Sequence, residues 1–512
     1  MNTLSISSKL PKEKLFYYAI LLLTFLFSYS YIYDKKVDKG GDSASYYMLG
    51  KAIAQGNGYS VISGASKPPA NHYPPGYPAI IGTVMKVFSD KMSTVILANG
   101  IMFLISVILF FELFFLLTAN LNMAFVLSCL LLVNYHLLRY STMMMSEIPF
   151  TLFSALTLIF FIKNIEDERP FYKSPFFYSA VIMLTWSYYI RSAGIALVGA
   201  VILYLLISKK WSLILAYSAG FVALALPWFI RGQNLGGNPY IKALTLVNYY
   251  KPDEGYMNFS ALVTRFFNNG TRYFTKEIRD GLFPTSVELD YQKEATTGDW
   301  FLGIAIIALV FYGLFKLPKY RWIILGYVAA SFGIFFLWPD VWYGIRFELP
   351  VVPFLLLGLL YGMWEFIYFI SLKMNLNKRL NPLWFAVVIL LFIPGVKRAH
   401  ADAKKKYEAN FNDYFEMAKW MKENVKEDVV VACRKPDLFY LFSGKFVCNY
   451  KYTEDDKDLL EDLKKKKVSY VVIENLGFGS TGRYLVPAVQ KNENKFKLVQ
   501  QLPQAYLFKF IP

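Results

Sequence analysis

Across residues 1–397, long apolar runs alternate with short polar segments. A run of about 20 apolar residues is long enough to cross the hydrocarbon core of a membrane as a helix. The pattern predicts roughly eleven such helices, each about 20 residues long. They begin near Leu15, Met92, Met123, Glu147, Phe176, Ala193, Trp211, Phe301, Trp322, Leu349 and Leu383. The sequence therefore predicts a polytopic α-helical membrane protein.

Two polar segments, 35–91 and 231–299, are longer than the other connections. The apolar stretch from Pro78 to Phe88 is too short to span a membrane, so we expect it to lie at the interface or to dip partway. At residue 398 the pattern changes to that of a soluble α/β domain, 398–512, which has a usual size for one small core. Its predicted elements are the helices Phe411–Asn424 and Thr453–Lys466 and the strands Val429–Ala432, Val468–Ile473, Phe496–Gln500 and Ala505–Phe510.

The composition agrees with a membrane protein. Hydrophobic residues make up 55% of the chain and aromatic residues 18%, which does not fit a soluble multidomain protein. The formal net charge of +17 would suggest a nucleic-acid partner in a soluble chain. Here many of the Lys and Arg side chains lie in short loops between apolar runs, where they set the orientation of the helices. No nucleic-acid partner is therefore expected.

The distribution of basic residues also predicts which side of the membrane each loop faces. Lys9, Lys12 and Lys14 precede the first helix, which predicts a cytoplasmic N-terminus. Further basic clusters fall in alternate loops, so the two long polar segments and the C-terminal domain are predicted to lie on the outer face. An oxidising compartment would allow a disulfide between Cys433 and Cys448, and whether it forms stays open.

The first long polar segment carries a carboxylate, Asp42, whose glycine and serine neighbours leave it sterically open. The segment ends in HYPPGY (72–77), where the prolines fix φ and restrict the residues before them. A stiff loop is therefore predicted. A simple surface connection between two helices is the alternative.

Several ionisable residues lie at predicted helix ends on one side of the membrane. They are Asp42, Lys67, Glu147, Arg191, Asp340 and Arg346. Charges beside a bilayer are expensive and tend to be paired or functional. Glu147 has an alternative role as a helix N-terminal charge favoured by the dipole, and the arginines have one in extending to lipid headgroups. Two arginines on one face would bind a phosphate bidentately, as a single lysine would not.

A metal site is an open alternative. The carboxylates of Asp42 and Glu147, with His72 as a nitrogen ligand, would suit a divalent ion. The chain has only three histidines, which excludes a histidine-rich site. The sequence GFGSTG (477–482) matches a dinucleotide fingerprint, but it follows a late strand and lacks an acidic residue about 20 positions further on, so a flexible loop is favoured.

A set of short motifs runs in order from Gly40 to Phe354. They are Gly41-Asp42 after the first helix, YPPGYP (73–78), Ser146-Glu147 at the start of a helix, Arg191 with Gly194, and Arg346-Phe347 with Leu349-Pro350 and Pro353-Phe354. This order resembles the GT-C membrane glycosyltransferases, specifically the family 39 group of protein O-mannosyltransferases and the bacterial aminoarabinose transferase of lipid A. The C-terminal domain is similar to the extracytoplasmic domain of bacterial members. Asp42 is followed by Ser43, whereas the family often has a second acid there.

The resemblance implies a glycosyltransferase of the bacterial inner membrane. Its donor would be a sugar on polyprenyl phosphate, because nucleotide sugars are not available outside the cytoplasm, and its acceptor a hydroxyl of a lipid, glycan or protein. Asp42 is implied as the general base of an inverting displacement. The residues implied to bind the donor phosphate are Arg191, Arg346 and Lys67. Those implied to contact substrate, with or without a divalent ion, are Glu147, His72, Tyr73 and Tyr343.

Two other classes of function stay open. In a transporter or lipid flippase the same charges would line a substrate pathway, although no inverted repeat is apparent and transport does not need an extracytoplasmic α/β domain. In a structural membrane subunit the charges would only anchor helices.

Overall fold

The computed structural model describes residues 12–283 and 289–512, and the predicted basic residue Lys9 lies outside them. The first half of the helical domain contains α1 (Lys12–Ile32), α2 (Asp42–Ala54), α3 (Gly76–Val87), α4 (Met92–Thr118), α5 (Leu121–Val133), α6 (Tyr135–Ser141), α7 (Glu147–Glu166), α8 (Pro175–Ile190) and α9 (Ile195–Ile207). The second half contains α10 (Trp211–Asn234), α11 (Pro239–Thr245), α12 (Phe259–Arg272), α13 (Ile278–Leu282), α14 (Thr297–Lys316), α15 (Arg321–Leu337), α16 (Val352–Lys373), the 3₁₀ segment Pro382–Phe392 and α17 (Ile393–Lys404).

Within the described residues, seven helical segments are long and apolar enough to cross a membrane. They are Lys12–Ile32, Met92–Thr118, Glu147–Glu166, Trp211–Asn234, Thr297–Lys316, Val352–Lys373 and Pro382–Asn424. The pair α5 and α6, which is bent by 62°, would make an eighth.

Every predicted apolar run is helical, and seven or eight of the eleven are also long and apolar enough to span a membrane by this criterion. The runs near Phe176, Ala193 and Trp322 form the shorter helices Pro175–Ile190, Ser192–Ile207 and Arg321–Leu337. The run from Pro78 to Phe88 lies almost entirely in α3, which has 12 residues and is too short to span, as expected.

One part of the core of the helical domain lies between α4, α15 and α16. The ring of Phe354 packs edge-on against Phe110 and Tyr327, with centroids 5.4 Å apart in both pairs. All three side chains are buried, and edge-to-face geometry is a preferred arrangement of aromatic rings. In contrast, α10 buries few side chains, as expected of a helix that faces lipid.

The C-terminal domain contains one five-stranded mixed sheet. Its strands are β1 (Val430–Ala432), β2 (Phe446–Cys448), β3 (Tyr470–Glu474), β4 (Phe496–Leu502) and β5 (Ala505–Phe510), in the order β2-β1-β3-β5-β4. β1 is parallel to β2 and β3, whereas β5 is antiparallel to β3 and β4. Its helices are α18 (Ala409–Asn424), α19 (Pro436–Ser443), α20 (Asp456–Lys465) and α21 (Val486–Lys491).

All six elements predicted for this domain are present, whereas β2, α19 and α21 were not predicted. β2 has three residues, too few for a periodic pattern to stand out. Cys433 and Cys448 are both free thiols, and the Cys433 amide donates to the Cys448 carbonyl at 3.1 Å. The predicted boundary at residue 398 falls within α17.

Candidate active site

Asp42 is the first residue of α2, and its carboxylate has two partners from distant parts of the chain. The hydroxyl of Tyr73 donates to Oδ1 at 2.8 Å. Arg346 Nη2 lies 2.7 Å from Oδ2. Tyr73 belongs to the proline-rich loop and Arg346 to the turn before α16, so Asp42 joins three segments that the sequence pattern had singled out.

Glu147 is the first residue of α7 and is completely buried. Its Oε1 accepts from Arg346 Nε at 2.8 Å and from Arg191 Nη1 at 2.5 Å. Arg191 Nη1 also donates to Ser146 Oγ at 3.0 Å. Two carboxylates and two guanidiniums therefore form one continuous chain, Asp42–Arg346–Glu147–Arg191, which we call the charge network. Such pairing offsets much of the cost of removing these charges from water.

The local backbone conformation directs the Arg191 side chain into the charge network. α8 ends at Ile190, and Arg191 has an extended conformation with φ −146° and ψ 133° before the short 3₁₀ turn Ser192–Gly194. Gly76, at the start of α3, lies against the end of α8, where an added Cβ would be 2.7 Å from the Tyr189 carbonyl carbon. Only glycine permits this approach, so the loop that carries Tyr73 packs directly beside the segment that carries Arg191.

The turn before α16 is anchored from the opposite side. The amide of Gly344 donates to Glu277 Oε1 at 2.6 Å, and Glu277 also pairs with Arg272 at 3.3 Å. Glu348, two residues beyond Arg346, is fully buried. Burial and the neighbouring acids Glu277 and Asp280 raise the pKa of Glu348 well above its ordinary value. These contacts fix the turn and with it the position of Arg346.

A cavity of about 150 Å³ opens over the charge network. Asp42, Arg191 and Arg346 contribute its charged groups, and Ser146 and Ser192 contribute hydroxyl-bearing side chains. Its other lining residues are Tyr46, His72, Tyr73, Pro74, Ile190, Ala193, Tyr240, Tyr249, Tyr250, Trp338, Trp342 and Phe347. A cavity with mostly aromatic walls and a few convergent charged groups is typical of a small-molecule site.

The electrostatics keep the Asp42 carboxyl ionised. Burial raises its pKa, but Arg346, the Tyr73 hydroxyl and Lys435 together outweigh that effect and hold the pKa below its ordinary value. For the same reason, the neighbouring carboxylates of Asp42 and Glu147 hold the pKa of Arg346 well above its ordinary value. A permanently charged carboxylate and guanidinium therefore face the cavity at neutral pH.

The arrangement does not fit the divalent ion considered for Asp42, Glu147 and His72. Arg346 bridges the two carboxylates with separate nitrogens and so takes the position between them that a shared cation would need. Elsewhere in the described residues, no group of three or more His, Cys, Asp or Glu side chains is arranged to hold a metal ion. We therefore assign no step to a metal.

Of the eight residues predicted to act here, six belong to the site. Asp42, His72, Tyr73, Arg191 and Arg346 line the cavity, and Glu147 lies in the network beneath them. Lys67 is not a lining residue and is exposed in the loop before Pro68. Tyr343 is 40% exposed and packs near Tyr291 and Arg272, outside the cavity.

Some lining residues were not predicted. Tyr240, Tyr249 and Tyr250 come from the segment 231–299, and Trp342 comes from the turn that holds Arg346. In a chain with 18% aromatic residues, none of these positions stands out by composition. Tyr46 is on the second turn of α2, and its spacing of four residues from Asp42 is the one signal that puts it on the same helix face.

Part of the chain matches a known protein family. Residues 72–230 match the family described as dolichyl-phosphate-mannose-protein mannosyltransferase. A search of curated proteins found no match.

Solved structures match nearly the whole chain. The crystal structure of ArnT from Cupriavidus metallidurans bound to undecaprenyl phosphate is 10% identical, with a TM-score of 0.61 over 97% of this chain and 98% of that chain. The Archaeoglobus fulgidus oligosaccharyltransferase tethered with an acceptor peptide is 12% identical, with a TM-score of 0.56 over 98% of this chain and 75% of that chain. The predicted resemblance is therefore confirmed at the level of fold: this chain is an integral membrane protein with the GT-C fold.

Proposed function

We propose that the protein transfers a sugar from a polyprenyl-phosphate-linked donor to a hydroxyl group of an acceptor, in the cavity above the charge network. The observation that carries the proposal is that one carboxylate and two guanidiniums converge on an aromatic-walled cavity in a chain with the GT-C fold. The structurally similar ArnT was solved with bound undecaprenyl phosphate, which supports a donor that carries a lipid phosphate. The acceptor is a lipid, glycan or protein.

The reaction would use Asp42 as the base. The acceptor oxygen attacks the anomeric carbon from the face opposite the phosphate, and its proton passes to Asp42. The bond between the anomeric carbon and the phosphate oxygen breaks, its electron pair stays on the phosphate, and the sugar configuration inverts. The lowered pKa of Asp42 keeps the carboxylate deprotonated before the acceptor binds, and general-base help typically contributes about 10² to 10⁴ in rate.

The two arginines would bind the leaving phosphate. A guanidinium carries five N–H donors, and the charge network engages only part of this set on Arg191 and Arg346. The remaining donors suit a phosphate whose charge grows as the glycosidic bond breaks. Glu147 would hold both arginines in place, and His72 and Tyr73 would contact the sugar. Lys67 and Tyr343 have no role in this proposal because they lie away from the cavity.

We also propose an orientation of the protein in the membrane. From the basic loops, we infer a cytoplasmic N-terminus and an extracytoplasmic cavity and C-terminal domain (398–512) in a bacterial inner membrane. Labelling of single cysteines introduced at exposed Lys67 and Lys419 by a membrane-impermeant maleimide on intact cells tests this. Labelling at both sites supports the orientation, and labelling only after permeabilisation contradicts it.

The test of function uses the purified protein and a radiolabelled polyprenyl-phosphate mannose. Release of polyprenyl phosphate together with mannose bound to an acceptor extract supports the transferase, whereas movement of intact donor between leaflets supports a flippase. Asp42→Asn should lower transfer by about 10²-fold or more and still bind undecaprenyl phosphate. Glu416→Gln, which removes an exposed carboxylate paired with Lys419, is the control. Full transfer by Asp42→Asn would remove Asp42 from the proposed role.

A further inference from the structure

The C-terminal domain contacts the backbone immediately before Asp42. Lys435, at the start of α19, donates through Nζ to the carbonyl oxygen of Gly40. Its aliphatic stem lies against Gly41, where an added Cβ would be 3.0 Å from Lys435 Cδ. Gly41 has φ 92°, in the left-handed region. The turn that leads into the proposed base is therefore held by a residue almost four hundred positions further along the chain.

A second contact fixes the first turn of α2. Ser45 Oγ donates to Asp437 Oδ2 at 2.5 Å, and Ser63 Oγ donates to the other oxygen, Oδ1. Ser63 is buried, and its carbonyl accepts from the Val447 amide of β2 at 2.8 Å. Asp437 lies in the first turn of α19, where the helix dipole favours a carboxylate.

The N-terminus of α2 has no side-chain cap of its own. The cap position is Gly41, and glycine has no side chain that could accept a hydrogen bond from the first amides of α2. The first amides of such a helix have no partner within the helix itself, so contacts from neighbouring segments matter more for the position of its first turn. Asp42 occupies this first turn. Arg346 and Tyr73 hold its carboxylate, and the contacts of Lys435 and Asp437 hold the backbone turn that carries it.

We propose that Lys435 and Asp437 are positioning residues of the transfer reaction, which hold the Asp42 carboxylate at the cavity through Gly40, Gly41 and Ser45. This rests on the proposed function of Asp42. It makes the C-terminal domain part of the working site, since neither residue lines the cavity. A displacement of about 1 Å in a reacting group costs about 10²-fold in rate, so a loosened first turn reduces turnover without weakening donor binding.

The contact is distinct from ordinary docking between the two domains. Lys39 and Glu408 also pair across the same boundary at 2.8 Å, but their side chains are 41% and 66% exposed. An exposed pair of this kind contributes little. Glu408→Gln therefore removes an interdomain contact that does not touch α2, and it serves as the matched control.

The experiment compares Lys435→Met, Asp437→Asn, Lys435→Arg and Glu408→Gln in the full-length protein with polyprenyl-phosphate mannose. The first two should lower kcat by about 10-fold to 10²-fold with unchanged donor KM and unchanged affinity for undecaprenyl phosphate. Lys435→Arg, which keeps a cationic donor, should recover most of the activity. Wild-type kcat in Lys435→Met and Asp437→Asn, or an equal loss in Glu408→Gln, would overturn the assignment.

A second readout does not depend on turnover. Amide hydrogen exchange across 42–54 should be faster in Lys435→Met and Asp437→Asn than in the wild type and in Glu408→Gln. Exchange that is equal in all four proteins would overturn the positioning role. If the wild type shows no transfer from any polyprenyl-phosphate donor, the proposed function fails, and the exchange data still decide whether Lys435 and Asp437 hold α2.

Discussion

Arg346 Nη2 lies 2.7 Å from Asp42 Oδ2, so the proposed base is already paired with a guanidinium that also reaches a second carboxylate. Arg346 uses Nε for Glu147 and thereby couples the first turn of α2 to the first turn of α7. Arg346 therefore contacts the proposed proton acceptor, Asp42, and is itself one of the two proposed phosphate-binding groups. In the proposed reaction, the donor phosphate would bind the N–H groups of Arg346 that these two carboxylates leave over.

The first prediction concerns the geometry of Arg346. Arg346→Lys keeps the positive charge, but a single ammonium has no rigid fork with which to reach both Asp42 and Glu147. Loss of one donor to a developing charge typically costs about 10² to 10³ in kcat. We therefore expect Arg346→Lys to lose about 10²-fold in transfer of mannose from polyprenyl phosphate. Arg169→Lys, at an arginine that is 52% exposed and paired with Asp167, is the control, and equal activity of the two variants would contradict the prediction.

Much of this network follows from the sequence because its members stand at recognisable boundaries. Glu147 follows Ser146 at the start of an apolar run, and Arg191 interrupts another. The aromatic walls could not be predicted, because Tyr240 and Trp342 have no spacing that separates them from the other aromatic residues. Of the neighbours Trp342 and Tyr343, only Trp342 lines the cavity, and the irregular turn that carries them has no period to indicate which one points inward.

The contacts between the helical domain and the C-terminal domain could not be predicted from the sequence either. Lys435 contacts Gly40 across 395 positions, and neither local pattern nor propensity indicates a contact at that separation.

For the metal alternative, the sequence indicated a site that the fold does not favour. Asp42, Glu147 and His72 have suitable ligand chemistry, yet the fold puts Arg346 between the two carboxylates. Residue type indicated which side chains would belong to the site, and the tertiary structure showed which of them contact each other.

The second prediction concerns stability. Glu147 is completely buried and compensates the charges of both arginines, so Glu147→Gln leaves two guanidiniums with one carboxylate. Breaking a buried ion pair from one side costs about 3 to 5 kcal/mol. We expect a clearly lower Tm of the protein in detergent, measured by a thermal shift assay. Glu416→Gln removes a carboxylate from an exposed pair with Lys419 and should leave Tm unchanged; a similar Tm for both variants would contradict the prediction.

The third prediction concerns the aromatic wall. The ring of Trp342 packs edge-on against Tyr249, with centroids 5.3 Å apart, and both line the cavity. The proposed donor would pack against this wall, so Trp342→Ala removes apolar contact surface worth about 1 kcal/mol or more and should raise the donor KM by about 3-fold to 10-fold. Trp211, which is 63% exposed at the start of α10, provides the control Trp211→Ala. An unchanged donor KM for Trp342→Ala would show that the wall does not contact the donor.

The last prediction concerns pH. The pKa of Asp42 is held below its ordinary value of 3.8 in the folded protein, because Arg346, Tyr73 and Lys435 outweigh the effect of burial. A carboxyl with a lowered pKa in the folded state stabilises the fold above its unfolded pKa and loses that contribution as the pH falls through the folded pKa. Comparison with Asp42→Asn isolates this contribution, since the amide does not titrate.

The Tm of the wild type should therefore exceed that of Asp42→Asn by a constant amount near neutral pH. The difference should narrow only below about pH 4, where the carboxyl of the unfolded chain begins to take up a proton. Thermal shift measurements on both proteins from neutral to acidic pH test this, with Glu416→Gln, which removes an exposed carboxylate paired with Lys419, as the control. A difference that stays constant or widens on acidification would mean that Arg346 does not stabilise the ionised form of Asp42.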